Sequence, residues 1–150
     1  MAIRTDLAGK KLPKDKLVFD LLGAIDEVSA AIGLAKVKAN DNQKEKLSRI
    51  QKDLQAFSSL IAQCGKNHAE ERLEWLEKMI ENYEQKVDIP REFILAGKNE
   101  LEARLNFARV VTRKAERVAI RLNREQEMDQ PFLDYLNRLS WLLFLIGLES

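Results

Sequence analysis

ARLNFARVVTRKAERVAIRLNR, residues 103–124, is the stretch that decides the fold. At the 3.6-residue helical period, Val111, Ala115, Val118 and Leu122 fall on one side, while Arg109, Arg113, Glu116 and Arg117 share the opposite stripe. One face is suited to packing and the other carries charge. A merely solvated face tends to mix Lys and Glu in pairs, so a run of arginines around one glutamate suits planar recognition of phosphate or carboxylate. A surface ion-pair ladder uses the same residue types, and spacing alone leaves both readings open.

The same periodicity extends outward in both directions. From Lys16 to Val37 the apolar residues Val18, Leu21, Ile25, Val28 and Ile32 alternate steps of three and four, and Asn40-Asp41-Asn42 then supplies turn and cap residues. A second helix is expected to carry Leu47, Ile50, Leu54, Phe57, Ile61 and Cys64 on its seam. Gly65 would end it, and Asn67 with Glu70 resembles a capping box for a third helix seamed by Leu73, Leu76, Ile80, Tyr83 and Val87. The segment VDIPREFILAG, with its proline and glycine, reads as a connection, and Phe93-Ile94-Leu95 within it as a buried anchor or a pocket wall.

A fourth helix is expected from about Asn99 to Arg124. Asp129 and Pro131 then start a fifth, PFLDYLNRLSWLLFLIGL, which is apolar on nearly every side. Such a helix must be covered all round, by its own bundle or by other subunits, and because it is so apolar a homo-oligomer is expected. No strand pattern of useful length appears. The predicted architecture is an all-α bundle of five helices, one domain over residues 1–150 with a short N-terminal segment, 1–13.

Bulk properties narrow the function. The chain has 25 Lys and Arg against 24 Asp and Glu, so its net charge does not point to nucleic acid or an anionic membrane. The lone cysteine, Cys64, rules out an internal disulfide and fits a reducing, cytoplasmic setting. No signal-peptide core or membrane-spanning run is expected. His68, the single histidine, has only Glu70 and Glu71 beside it in sequence, and no metal site is expected there.

Lys14 followed by GAIDEVSAAIGLA from Gly23, FILAG from Phe93, ARVVTRKAER from Ala108 and YLNRLSWLLF from Tyr135 occur in that order. Together they resemble the PduO-type corrinoid adenosyltransferases, the ATP:cob(I)alamin adenosyltransferase family, whose runs read approximately GxxDELNSxIG, FILPGG, ARTVCRRAER and YLNRLSDLLF. The resemblance implies a homotrimer with active sites between subunits, in which cob(I)alamin attacks C5′ of ATP and expels triphosphate. It implies that Arg113 and Arg117 stabilise the departing triphosphate, and that Asp26 pairs with Arg113 across the subunit boundary. Glu116 would orient an arginine or contact nucleotide, Asn137 would hydrogen-bond nucleotide and Lys14 would meet phosphate. Phe93 would lie at the lower face of the corrin, and magnesium would accompany ATP through its phosphates.

The chain departs from the pattern in four places. A TRTGDxGTT-like phosphate loop is shortened to IRTDLAG, FILPGG becomes FILAGK, the second arginine of RRAER is Lys114, and the aspartate after YLNRLS is Trp141. On residue type, Trp141 is expected to fill a core or a subunit contact. An alternative function keeps the bundle as a non-catalytic nucleotide- or corrinoid-binding module.

Overall fold

The computed structural model describes residues 4–7, 9–13, 16–62 and 68–150. Five helices carry the fold: α1 (Leu17–Lys36), α2 (Asp41–Ile61), α3 (Ala69–Lys86), α4 (Glu100–Glu125) and α5 (Gln130–Glu149). The local signals place their ends closely. Asn40 heads α2 with a reciprocal capping box, its Oδ1 accepting from Gln43 N at 2.8 Å while Gln43 Oε1 accepts from Asn40 N at 3.0 Å. Asn99 caps α4 by accepting from Glu102 N. Asp129 precedes α5, with Pro131 in the first turn, where its missing N–H costs nothing.

Three details differ from expectation. Two short strands pair antiparallel near the N-terminus, β1 (Arg4–Leu7) with β2 (Lys10–Pro13), and Gly9 before β2 has φ +77°. Strands of four residues are too short to show an alternation. Second, α2 ends at Ile61, short of Cys64, which lies outside the described residues, as do Lys14, Gly65 and Asn67. Third, the residue heading α3 is His68 in a left-handed conformation, with no side-chain cap; the expected Asn67 box falls outside the described residues.

Long α4 lies between α1 and α5, α2 packs on α1, and α3 packs on α5. The predicted seams form one core, from Leu21, Ile25 and Val28 through Val111, Ala115 and Val118 to Leu139, Leu142 and Ile146. Phe57 of α2 closes it against Phe132 and Tyr135 of α5, with ring centroids 5.1 and 4.8 Å apart. Beside these rings Asp53, fully buried, accepts hydrogen bonds from Arg49 at 3.1 Å, Arg72 at 2.5 Å and the Tyr135 hydroxyl at 2.7 Å. This joins α2, α3 and α5 through a charge whose acceptor sites are satisfied. Burial, followed by the neighbouring Asp53 charge, holds the Tyr135 hydroxyl well above its usual pKa, so it serves as a donor.

The apolar fifth helix is covered by its own bundle: Phe132, Leu136, Leu139, Leu143 and Ile146 are all buried within one chain. That corrects the reason for expecting an oligomer. Among the helices, the large apolar side chains left exposed lie instead on α1 and α4, at Leu34, Phe107, Val110 and Ile120, with Val37 just past α1; Ile89, Phe93, Ile94 and Leu95 are exposed in the connection before α4.

Candidate functional site

Once the seam of α4 is packed, its other stripe is committed to the surface beside α5. There Glu102, Asn106, Arg109 and Arg113, spaced by three and four, form one wall of a cleft of about 570 Å³. Asn137, Arg138, Ser140, Trp141 and Phe144 of α5 form the second wall, and Arg91 to Ile94 of the connection form the rim. Four arginines, Arg91, Arg109, Arg113 and Arg138, thus face a space whose lining includes the acids Glu92 and Glu102. A cleft with this charge balance favours an anion.

Its other half is aromatic. Trp141 and Phe144 stack with centroids 5.3 Å apart and an interplanar angle of 24°. The Trp141 indole N–H donates to Glu84 Oε1 of α3 at 2.7 Å, which sets the ring's orientation. Phe93 at the rim is completely exposed, as is Leu95. The expectation that Trp141 fills the core is corrected: within this chain it is a half-buried wall of the cleft. An aromatic and basic concavity of this kind can receive a flat apolar body carrying an anionic tail.

The expected site residues fall in four places. Phe93, Arg113 and Asn137 meet in the cleft, and Glu116 joins them by accepting from Asn137 Nδ2 at 2.9 Å. Arg117 lies exposed on α4 one turn beyond Arg113. Asp26 sits elsewhere, exposed in a polar groove between α1 and α2 with Ser29, Lys36 and Gln51. Lys14 lies outside the described residues. Lys114 faces α1, where it makes an exposed pair with Glu27 at 3.3 Å, a surface bridge of little weight in stability. Among the described residues, no group of three or more His, Cys, Asp or Glu could hold a metal ion.

Sequence reasoning missed Glu102, Asn106 and Arg138. Asn106 and Arg109 are linked by an Nε to Oδ1 hydrogen bond of 3.0 Å, a spacing of three that the sequence shows but does not single out. Arg138 follows Asn137 directly, yet only the packing of α5 shows that both reach the cleft.

A sequence profile of the cobalamin adenosyltransferase family matches residues 4–149. The chain belongs to that family. It is 32% identical over 152 residues to the human corrinoid adenosyltransferase MMAB, covering 93% of this chain and 61% of that protein. To the Bacillus subtilis corrinoid adenosyltransferase it is 30% identical over 152 residues, covering 94% and 78%. The chain thus spans about three fifths of the human relative, and it spans 44% of the Salmonella typhimurium corrinoid adenosyltransferase PduO.

Among solved structures, it is similar to a lysine-for-arginine variant of the PduO-type ATP:corrinoid adenosyltransferase of Lactobacillus reuteri complexed with ATP. The TM-score is 0.88, at 31% identity over 98% of this chain and 88% of that one. A histidine-for-phenylalanine variant of the same enzyme, complexed with cobalamin and ATP, gives a TM-score of 0.88 at 30% identity, covering 97% and 84%. Family membership therefore rests on both sequence and fold. No helix of the described residues is long and apolar enough to cross a membrane.

Proposed function

We propose that this chain is an ATP:cob(I)alamin adenosyltransferase: the Co(I) electron pair forms a bond to C5′ of ATP, the C5′–O bond breaks, and triphosphate leaves. The observation that carries the proposal is the cleft whose lining includes Arg113, Asn137 and Phe93. It supplies an anion-binding half and an aromatic half within one concavity. Cob(I)alamin is already a powerful nucleophile. The chain's tasks are then to align C5′ and to neutralise charge as the triphosphate departs.

Arg113, with Arg117 beyond it, takes the triphosphate, where a planar guanidinium can engage two oxygens at once. Asn137 hydrogen-bonds the nucleotide, and Glu116 orients its amide through the 2.9 Å contact. Phe93 shields the lower face of the corrin. Lys14 meets phosphate at the N-terminal entry, and magnesium arrives with the nucleotide's phosphates rather than in a protein cage.

The whole chain acts as one domain, in the cytoplasm, and assembles as a homotrimer. The exposed apolar face of α1 and α4 supports assembly, because Leu34 and Phe107 are each more than half exposed in one chain and a second copy would cover them. Asp26, on α1 beside that face, would reach Arg113 of an adjoining copy. Sedimentation of the native chain and of Asp26→Ala tests this: trimer for the former and partial dissociation for the latter are expected, and a monomeric native chain refutes it.

The activity is tested with chemically reduced cobalamin, magnesium and ATP, following the visible spectrum for adenosylcobalamin. Arg113→Ala is expected to lower the rate roughly 100-fold or more, as for loss of one preorganised donor. Absence of turnover by the native chain refutes the enzymatic reading and leaves a binding module with the same bundle.

A further inference from the structure

The loop that carries Phe93 has almost no hold of its own. From Asp88 to Lys98 there is no regular structure, and no backbone N–H of these residues finds a backbone carbonyl. Arg91 to Glu100 are all exposed. Yet Phe93 and Ile94 form the rim of the cleft. Something other than the backbone must define where this rim sits.

Glu102 supplies the hold. It is 7% exposed, and its Oε2 accepts from Gly97 N at 2.5 Å and from Lys98 N at 3.2 Å. Gly97 has φ +110°, a conformation open to glycine, and this turn aims both N–H groups at one oxygen. Gly147 of α5 packs beside the carboxylate's stem; a Cβ there would make ordinary contact, 3.6 Å from Glu102 Cγ. The same side chain lines both the cleft and an adjoining cavity of about 320 Å³ beneath Ile94 and Leu95, so it stands at the wall between them. The remaining tether is Lys98 Nζ, which donates to Leu148 O at 3.3 Å.

We infer that Glu102 is a positioning residue for the corrinoid, holding the Gly97–Lys98 turn so that the Phe93 rim is set over the cleft. This rests on the proposed function for the identity of the ligand, but the tether itself does not. Removing the carboxylate lets the rim sample positions that do not close on a ligand, and apparent affinity falls by the fraction of chains still competent. The nucleotide half, built on the rigid helices α4 and α5, keeps its geometry.

The test uses Glu102→Ala and Glu102→Gln in the full chain. In the ligand-free protein, amide hydrogen exchange across 88–98 should accelerate in Glu102→Ala while that of the helices is unchanged. Calorimetric titration with cob(II)alamin should show affinity weakened roughly tenfold, with ATP affinity within about twofold of native. Glu102→Gln keeps an acceptor oxygen and should restore most of the cobalamin affinity. If Glu102→Ala does not fold, Glu102→Asp replaces it, because its shorter reach loses the turn and should give the same split.

Parallel loss for both ligands, or faster exchange with unchanged cobalamin affinity, overturns the inference. A native chain that binds cobalamin without turnover sinks the proposed activity alone, and the binding comparison still decides on Glu102. A native chain that binds no cobalamin overturns both.

Discussion

Phe93→Ala separates a surface role from an internal one. The ring is 107% exposed, so truncation removes no packing within the chain. The expected stability change is within about 0.5 kcal/mol, which for a domain of this size is at most about 2 °C in Tm. Binding is another matter. If the corrinoid covers half of a ring of about 200 Å², roughly 100 Å² leaves water, about 2.5 kcal/mol at ~25 cal/mol per Å².

Ordering the loop offsets about 1 kcal/mol of that gain. The remaining ~1–2 kcal/mol corresponds to a roughly 5–30-fold weaker Kd for cob(II)alamin. Scanning calorimetry and a cobalamin titration on the same preparation measure both numbers. Conversion starting from cob(II)alamin should suffer more than conversion starting from pre-reduced cob(I)alamin. A Tm lowered by more than about 5 °C would show that the ring is an internal or interface anchor. An unchanged Kd would show that nothing binds over it.

Two further predictions concern the bundle itself. Asp53→Ala leaves the Tyr135 hydroxyl and Arg49 without their buried acceptor and should cost about 3–5 kcal/mol, seen as a urea midpoint shift at constant m; a cost under about 1 kcal/mol would show that the network is incidental. Glu149 accepts from Gln43 at 2.9 Å, Tyr83 at 3.2 Å and Lys86 at 2.5 Å; burial alone would raise its pKa, but these bonds outweigh it and hold it below the ordinary 4.5. A depressed native pKa contributes stability above the unfolded value and loses it as pH falls, so the native chain should exceed Glu149→Gln by about 1 kcal/mol at pH 7, and the gap should close below about pH 4.5. A gap that widens in acid would contradict that sign.

Much of this protein is local and could be read without coordinates. Helix periodicity is a property of neighbouring residues, so the seams at Leu21, Ile25 and Val28 and at Val111, Ala115 and Val118 appear in the text and again in the core. The run Asn40-Asp41-Asn42 marked a turn and cap, and Asn40 does head α2; that it forms a reciprocal box with Gln43, and that Asn99 caps α4, came from the coordinates. The runs from Gly23, Phe93, Ala108 and Tyr135 carried the family. The stripe Arg109, Arg113 and Glu116 announced a charged face, but only the antiparallel packing of α5 supplies Asn137 as Glu116's partner.

What only the tertiary structure decided depends on which distant surfaces meet. The apolar length of α5 could not say whether its own bundle or another copy covers it; packing on α3 and α4 does so within one chain. Trp141 could have filled a core, and becomes a cleft wall because Glu84, 57 positions away, accepts its N–H. Glu102 shares the sequence signature of any acid in a first helical turn. The bonds it accepts come from Gly97 and Lys98, only five and four positions earlier, so the tether itself is local; what the fold decides is its burial, beside Gly147 of α5.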